Sequence, residues 1–214
     1  DGKEHTFDKA ILAIGVTGNV EGLNLDLLSI PTERGQINVN KFYQTNVPNI
    51  YAIGDVAGAP WLAHVASHEG VIAAEHIAHV AGKGTKPHAM DYENIPGCTY
   101  CSPQIGSTGM SEEAAKAAGH SVKVGVFNYQ ANGKALAIGE PDGFVKTVFD
   151  ADTGALLGAH IIGAEATELI TTFVLGKHME AVEADFQQAC FPHPTLSEMI
   201  GEAALGADDK MLNS

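Results

Sequence analysis

The chain has 214 residues, 12 Lys+Arg against 26 Asp+Glu for a formal net charge of −14, and 45% hydrophobic but only 18% charged residues. So acidic a surface, with no basic run, argues against a nucleic-acid backbone or an anionic membrane as partner, and the apolar content argues against disorder. No apolar run approaches the ~18 residues of a membrane span; three cysteines without a leader-type apolar start point to a reducing, cytoplasmic compartment rather than a disulfide scaffold.

In chain order, Asp1-Gly2-Lys3-Glu4 reads as a turn leading into a strand over residues 6–15. The apolar run 10–14 within it suits burial on both faces of an α/β sheet. A domain rarely begins there, so neighbouring strands are expected elsewhere. Residues 35–39 predict a turn and a strand, and Val47-Pro48-Asn49 punctuates before an apolar strand at 50–53. Residues 62–81 change to helical spacing, with Val65, Ile72, Ile77 and Val80 among alanines and a stop at Gly82. The polar, Gly/Pro-containing stretch 82–88 suits a domain boundary.

From about 94 to 163 the pattern is mostly strands: 122–129, 135–138, 144–150 and 156–162. The intervening turns, Asn132-Gly133, Pro141-Asp142-Gly143 and Asp152-Thr153-Gly154, are close enough to imply an antiparallel sheet. One helix interrupts it, opened by Ser111 with Glu112 and Glu113 in its first turn and closed by Gly119. Helices follow at 165–179, 184–189 and 195–205. The fold class is therefore an α+β domain of antiparallel sheet and helices, preceded by the remnant of an α/β region.

The most specific segment is 191–199, Phe-Pro-His-Pro-Thr-Leu-Ser-Glu-Met. Thr195 followed three residues later by Glu198 makes a capping box, a common structural device. The same spacing lets the first turn of the helix return the Glu198 carboxylate to His193, held extended between two prolines. A carboxylate there would fix the ring tautomer and raise its basicity, making His193 a general base. Both readings stand on spacing. Asp55, ending the apolar strand through Gly54, reads either as a turn residue or as a carboxylate at the C-terminal end of a strand, where α/β folds bind ligands and where it could accept from sugar-type hydroxyls.

Cys98-Thr99-Tyr100-Cys101 has CxxC spacing but no second pair and no following helix N-terminus, so a redox or metal role is rejected. His64, His68, His76 and His79 share one helix, and core or solvated histidines account for them without a metal.

Several stretches in register, LAIG (12–15), NIYAIGDVAG (49–58), LAHVASHEG (62–70), LLGAHIIG (156–163) and HPTLSE (193–198), resemble the flavoprotein disulfide reductases, and within them the members that oxidise dihydrolipoamide. The resemblance covers essentially the whole chain. It implies that His193 and Glu198 are the catalytic base and its orienter, acting across a homodimer. It implies a second FAD motif at Gly54 and Asp55, with Asp55 on the ribityl chain. It also puts the backbone of Trp61, Leu62, Ala63 and His64 near the flavin pyrimidine, at a helix N-terminus that favours negative charge. Gly15 would contact the nicotinamide cofactor, its missing side chain permitting close approach.

Three departures are visible. Trp61 stands where a Met is usual, Val16-Thr17 where many relatives have an Arg, and Cys101-Ser102-Pro103-Gln104 in place of Thr-His-Pro-Glu.

The implied domains are 1–18 (end of an NAD-binding domain), 19–90 (C-terminal part of an FAD-binding and central region) and 94–214 (interface). The implied activity passes electrons from protein-bound dihydrolipoamide through a redox disulfide and FAD to NAD⁺. The implied partners are a second copy, lipoyl domains and the core of a 2-oxo acid dehydrogenase complex. Yet neither CxxxxC nor GxGxxG occurs. Those parts are expected in an N-terminal half, so this chain by itself is expected to be inactive and to hold neither cofactor stably. A glutathione-reducing enzyme shares the His/Glu pair, but the sixteen residues after Glu198 favour the dihydrolipoamide branch. A non-catalytic dimerisation module is the alternative of a different class.

Overall fold

The computed structural model describes residues 2–213; Asp1, which opens the first predicted turn, and Ser214 lie outside the described residues. The chain forms two compact units, residues 1–90 and 91–214.

In the first unit the strand expected over 6–15 is not formed, and Ile11, Leu12 and Ile14 are 94%, 81% and 87% exposed. A strand exists only where a neighbour takes its ladder N–H and C=O groups, and none among the described residues pairs with this one. A 3-10 turn (Leu25–Leu28) precedes a small hairpin of β1 (Thr32–Glu33) and β2 (Gln36–Ile37), paired Thr32↔Ile37 and Glu33↔Gln36. Its two loop residues, Arg34 and Gly35, both have positive φ (52° and 78°), as a tight hairpin of this hand requires. The strand expected at 50–53 reduces to one antiparallel bridge, Gln44↔Tyr51.

After a second 3-10 turn (Gly54–Ala57) comes α1 (Ala63–Val80), close to the predicted 62–81. Its buried stripe is Val65, Glu69, Ile72, Ala73 and His76. Ile72 and Ala73 pack with Phe42 and Tyr43, while Ile30, Ile37 and Ala52 make a neighbouring cluster.

The second unit is built on a five-stranded antiparallel sheet, order β3-β4-β7-β6-β5. Its strands are β3 (Gly97–Thr99), β4 (Gln104–Gly109), β5 (Val122–Asn128), β6 (Phe144–Asp150) and β7 (Leu156–Gly163). The helices are α2 (Glu112–Ala117), α3 (Gly133–Ile138), α4 (Ala166–His178), α5 (Glu183–Gln188) and α6 (Glu198–Gly206). Cross-strand pairs Val145↔Ile161 and Thr147↔Ala159 share the face on which α4 and α6 pack. Phe149, Ile161, Ile170, Phe173, Met199 and Ile200 are buried there in one core.

Two glycines let the helices sit close. A Cβ on Gly106 would stand 3.0 Å from Ile170 Cβ on α4, and one on Gly125 would run into the Ala203 carbonyl oxygen of α6.

Residues 135–138, expected as a strand, are instead the helix α3. Asn132 does not turn a hairpin: its Oδ1 accepts the Ala135 N–H at 2.9 Å and caps the helix. Ser111 caps α2 in the same way, as its position predicts. The last helix begins at Glu198 rather than 195, because residues 195–197 are drawn into the contacts of the preceding loop.

Candidate active site

The loop from α5 to α6 is fastened at several points before it reaches Glu198. Phe191 lies under Gly201, where an added Cβ would stand 2.9 Å from the ring. The His193–Pro194 peptide is cis. Thr195 Oγ1 donates to the Pro192 carbonyl at 2.6 Å and lies 2.8 Å from Ser197 Oγ. The Thr195 carbonyl accepts Asn132 Nδ2 at 3.0 Å, which ties the loop to the start of α3.

At the first residue of α6 the Glu198 carboxylate divides its oxygens: Oε1 is 2.8 Å from His193 Nδ1, and Oε2 accepts the Thr195 N–H at 2.8 Å. Burial would raise its proton affinity, but the Thr195 amide and then the His193 ring outweigh this and hold the carboxyl below its ordinary range. An ionised carboxylate only accepts, so Nδ1 carries a hydrogen, and in the neutral ring Nε2 is then the nitrogen with a free lone pair. The His193 side chain is 78% exposed and Glu198 27%. The arrangement is an oriented imidazole whose accepting nitrogen faces outward.

In the first unit, Gly54 turns the chain with φ +72°, and a Cβ there would stand 3.3 Å from the Ala66 methyl of α1. Its N–H donates to Glu69 Oε2 at 2.6 Å. Asp55, the next residue, is exposed. Leu62 stands before α1 and caps nothing with its side chain, and Trp61, Ala63 and His64 around it are exposed. These features suit FAD: a glycine turn pinned on a helix, a carboxylate at the surface beside it, and a helix start that no side chain of Leu62 closes. Gly15 takes φ +124° in an exposed, irregular stretch, and a Cβ built on it would meet nothing within 4 Å.

The remaining candidates are occupied otherwise. Burial, then Glu168, pushes the Cys98 thiol up, away from the thiolate that redox chemistry needs, and Cys101 Sγ donates to the Pro103 carbonyl at 3.0 Å. His76 bonds the Tyr51 hydroxyl at 2.9 Å and stacks on Phe42, and His79 bonds the Gly84 carbonyl at 3.1 Å. Among the described residues no group of three His, Cys, Asp or Glu could hold a metal, and no helix is long and apolar enough to cross a membrane.

Two residues of these sites are given no role by the sequence reading, Asn132 and, within the stretch 62–70, Glu69. Asn132 is hidden in an Asn-Gly pair that also signals a hairpin. Glu69 does carry a signal, a carboxylate at a buried position of the stripe Val65, Ile72, Ala73.

Residues 95–204 match the pyridine nucleotide-disulphide oxidoreductase dimerisation domain, and residues 1–70 match the pyridine nucleotide-disulphide oxidoreductase model. The chain belongs to this family of oxidoreductases. Over its whole length it is 53% identical to a dihydrolipoyl dehydrogenase of Zymomonas mobilis and 49% identical to one of Bacillus subtilis. It spans 45% and 44% of the length of those curated relatives. Among solved structures it resembles LpdA of Mycobacterium tuberculosis (TM-score 0.79, 26% identity, 88% of this chain and 40% of that one). The flavoprotein disulfide reductase RclA of Escherichia coli shares the fold (TM-score 0.81, 24% identity, 90% and 43%).

Proposed function

We propose that this chain is the C-terminal portion of a dihydrolipoyl dehydrogenase, and that it supplies the catalytic base, the second FAD motif and the dimer interface. The observation that carries the reading is the 2.8 Å contact between Glu198 Oε1 and His193 Nδ1, with the ring otherwise exposed. Nε2 of His193 takes the proton of a dihydrolipoamide thiol, and the thiolate so formed is the nucleophile toward a redox disulfide. Glu198 keeps the ring in the accepting tautomer and stabilises the imidazolium once the proton has moved. FAD, when bound, relays the electron pair from the dithiol to NAD⁺.

Gly54, Asp55 and the backbone of residues 61–64 hold FAD: the Asp55 carboxylate accepts from the ribityl hydroxyls, and the start of α1 favours negative charge on the pyrimidine side. Gly15 contacts the nicotinamide cofactor; the positive φ it adopts supports glycine there. In domain terms, residues 1–18 close the NAD-binding domain, 19–90 belong to the FAD-binding and central region, and 94–214 form the interface domain. The exposure of the His193 ring suits a homodimer in which each copy completes the other's site. The partners are lipoyl domains and the core of a 2-oxo acid dehydrogenase complex, in the cytoplasm.

The test is turnover by the full-length protein. Dihydrolipoamide with NAD⁺ is expected to be consumed and glutathione disulfide with NADPH left untouched; the reverse preference overturns the substrate assignment. His193→Ala is expected to lower turnover roughly 10²–10⁴-fold, the share a general base supplies, in an intact dimer. Unchanged turnover would reduce this unit to a non-catalytic dimerisation module.

A further inference from the structure

We infer that Glu69 is a positioning residue for the flavin site, holding the Gly54 N–H and thereby fixing the turn that presents Asp55. The inference rests on the reading of Gly54 and Asp55 as a flavin contact.

Glu69 is 2% exposed, yet it is a carboxylate in a stripe whose other members include Val65, Ile72 and Ala73. Burying a carboxylate is costly unless it is hydrogen-bonded, so a position that only filled the core would be apolar. Its Oε2 accepts the Gly54 amide at 2.6 Å, a short hydrogen bond. Gly54 needs such an anchor. At φ +72° it occupies the region that glycine enters most easily, and glycine is also the residue least able to hold one conformation unaided.

The neighbouring contacts act in the same direction. Ala66 lies one turn before Glu69 and closes the space beside Gly54, and Gly70 leaves room for the Ile53 side chain, whose Cδ1 would stand 3.3 Å from a Cβ there. α1 therefore grips both residues that precede Asp55. A turn fixed before the ligand arrives spares the ordering cost that binding would otherwise carry. Glu69 touches neither substrate nor flavin in this scheme; it acts through Gly54 on Asp55.

The experiment strips FAD from the full-length protein and titrates it back, following flavin fluorescence and the visible spectrum, with the melting temperature of the apoprotein as a folding check. Glu69→Met is expected to weaken FAD binding at least about tenfold, equivalent to about 1.4 kcal/mol. Glu69→Gln keeps an accepting oxygen and is expected to restore most of the affinity. Because both residues act through one turn, the losses in Glu69→Met and Asp55→Asn are expected to be less than additive in the double variant. Where Glu69→Met does not fold, Glu69→Asp keeps the charge while withdrawing the acceptor, and the same loss is expected.

A folded Glu69→Met or Glu69→Asp protein that binds FAD as the wild type does, or fully additive losses with Asp55→Asn, overturns the role of Glu69. Failure of the wild-type protein to take up FAD, or an unchanged affinity in Asp55→Asn, overturns the flavin-site reading itself.

Discussion

Glu198 holds His193 through one carboxylate oxygen while the other takes the Thr195 N–H, each at 2.8 Å. The capping box expected from Thr195 does not form, because its hydroxyl is taken by Pro192 and Ser197 and the helix starts after Ser197; only the Glu198 half, the bond from the Thr195 amide, is present, and the same carboxylate meets His193. The bond from the Thr195 amide fixes the carboxylate, and the fixed carboxylate orients the imidazole. On the proposed function, residue 198 carries two separable loads, one on stability and one on chemistry.

These loads part in two substitutions of the full-length protein. Glu198→Gln retains an oxygen for the Thr195 amide and should melt close to the wild type while losing turnover, because a neutral amide does not stabilise the imidazolium. Glu198→Ala should lose turnover as well and about 1 kcal/mol of stability, the usual net worth of a lost hydrogen bond. Steady-state kinetics beside thermal unfolding checks both.

Asn132 is buried and joins the start of α3 to the site loop, accepting from Ala135 and donating to the Thr195 carbonyl. Asn132→Asp keeps the cap but sets an acceptor against that carbonyl, so the loop should loosen and turnover fall more than stability does. Asn132→Ala removes both bonds and should cost at least about 1 kcal/mol in urea unfolding.

A methyl on Gly125 would press into the Ala203 carbonyl and come 2.7 Å from the Ala207 nitrogen. Backbone cannot move aside as a flexible side chain can. Gly125→Ala should therefore destabilise by roughly 1–3 kcal/mol, the range for overpacked cores, and displace the helix that carries Glu198. Denaturant midpoints and turnover should fall together.

The Asp150 carboxyl is lowered from 3.8 to about 2, first by the His120 ring and then by the Thr153 amide, with a contact to His120 Nδ1 of 2.7 Å. A carboxyl depressed in the folded state contributes stability above its unfolded pKa and loses it as pH falls through the folded one. Melting temperature should accordingly decline from about pH 4 to about pH 2, and Asp150→Asn should flatten that decline. An equally steep slope in the variant would locate the acid sensitivity elsewhere.

For the chain on its own, expressed as these 214 residues, flavin titration should show no stoichiometric yellow complex. Sedimentation at roughly tens of micromolar should show self-association through residues 94–214.

Much of this molecule is legible as local pattern. The period-3.6 stripe of α1, the turn-bounded apolar runs of β5, β6 and β7, and the Ser111 cap are encoded within a few residues of where they act, and the motif at 193–198 already contains both partners of the pair. Where local signals compete, they mislead: Asn132-Gly133 suits a hairpin and a helix cap equally, and here Oδ1 caps the helix while Nδ2 is held by the Thr195 carbonyl across the loop. The apolar runs at 10–14 and 50–53 have strand composition, but a strand is a property of a pair, and neither finds a full partner among the described residues.

Sequence by itself determined which residues could do chemistry, because His193 and Glu198 stand close enough along the chain to meet in one turn. Tertiary structure alone decided that a single carboxylate serves both Thr195 and His193, and that a glutamate fifteen residues away holds Gly54. Hydrogen-bond partners separated in sequence are chosen by packing, and a local pattern can point to a buried carboxylate but not to the amide it receives.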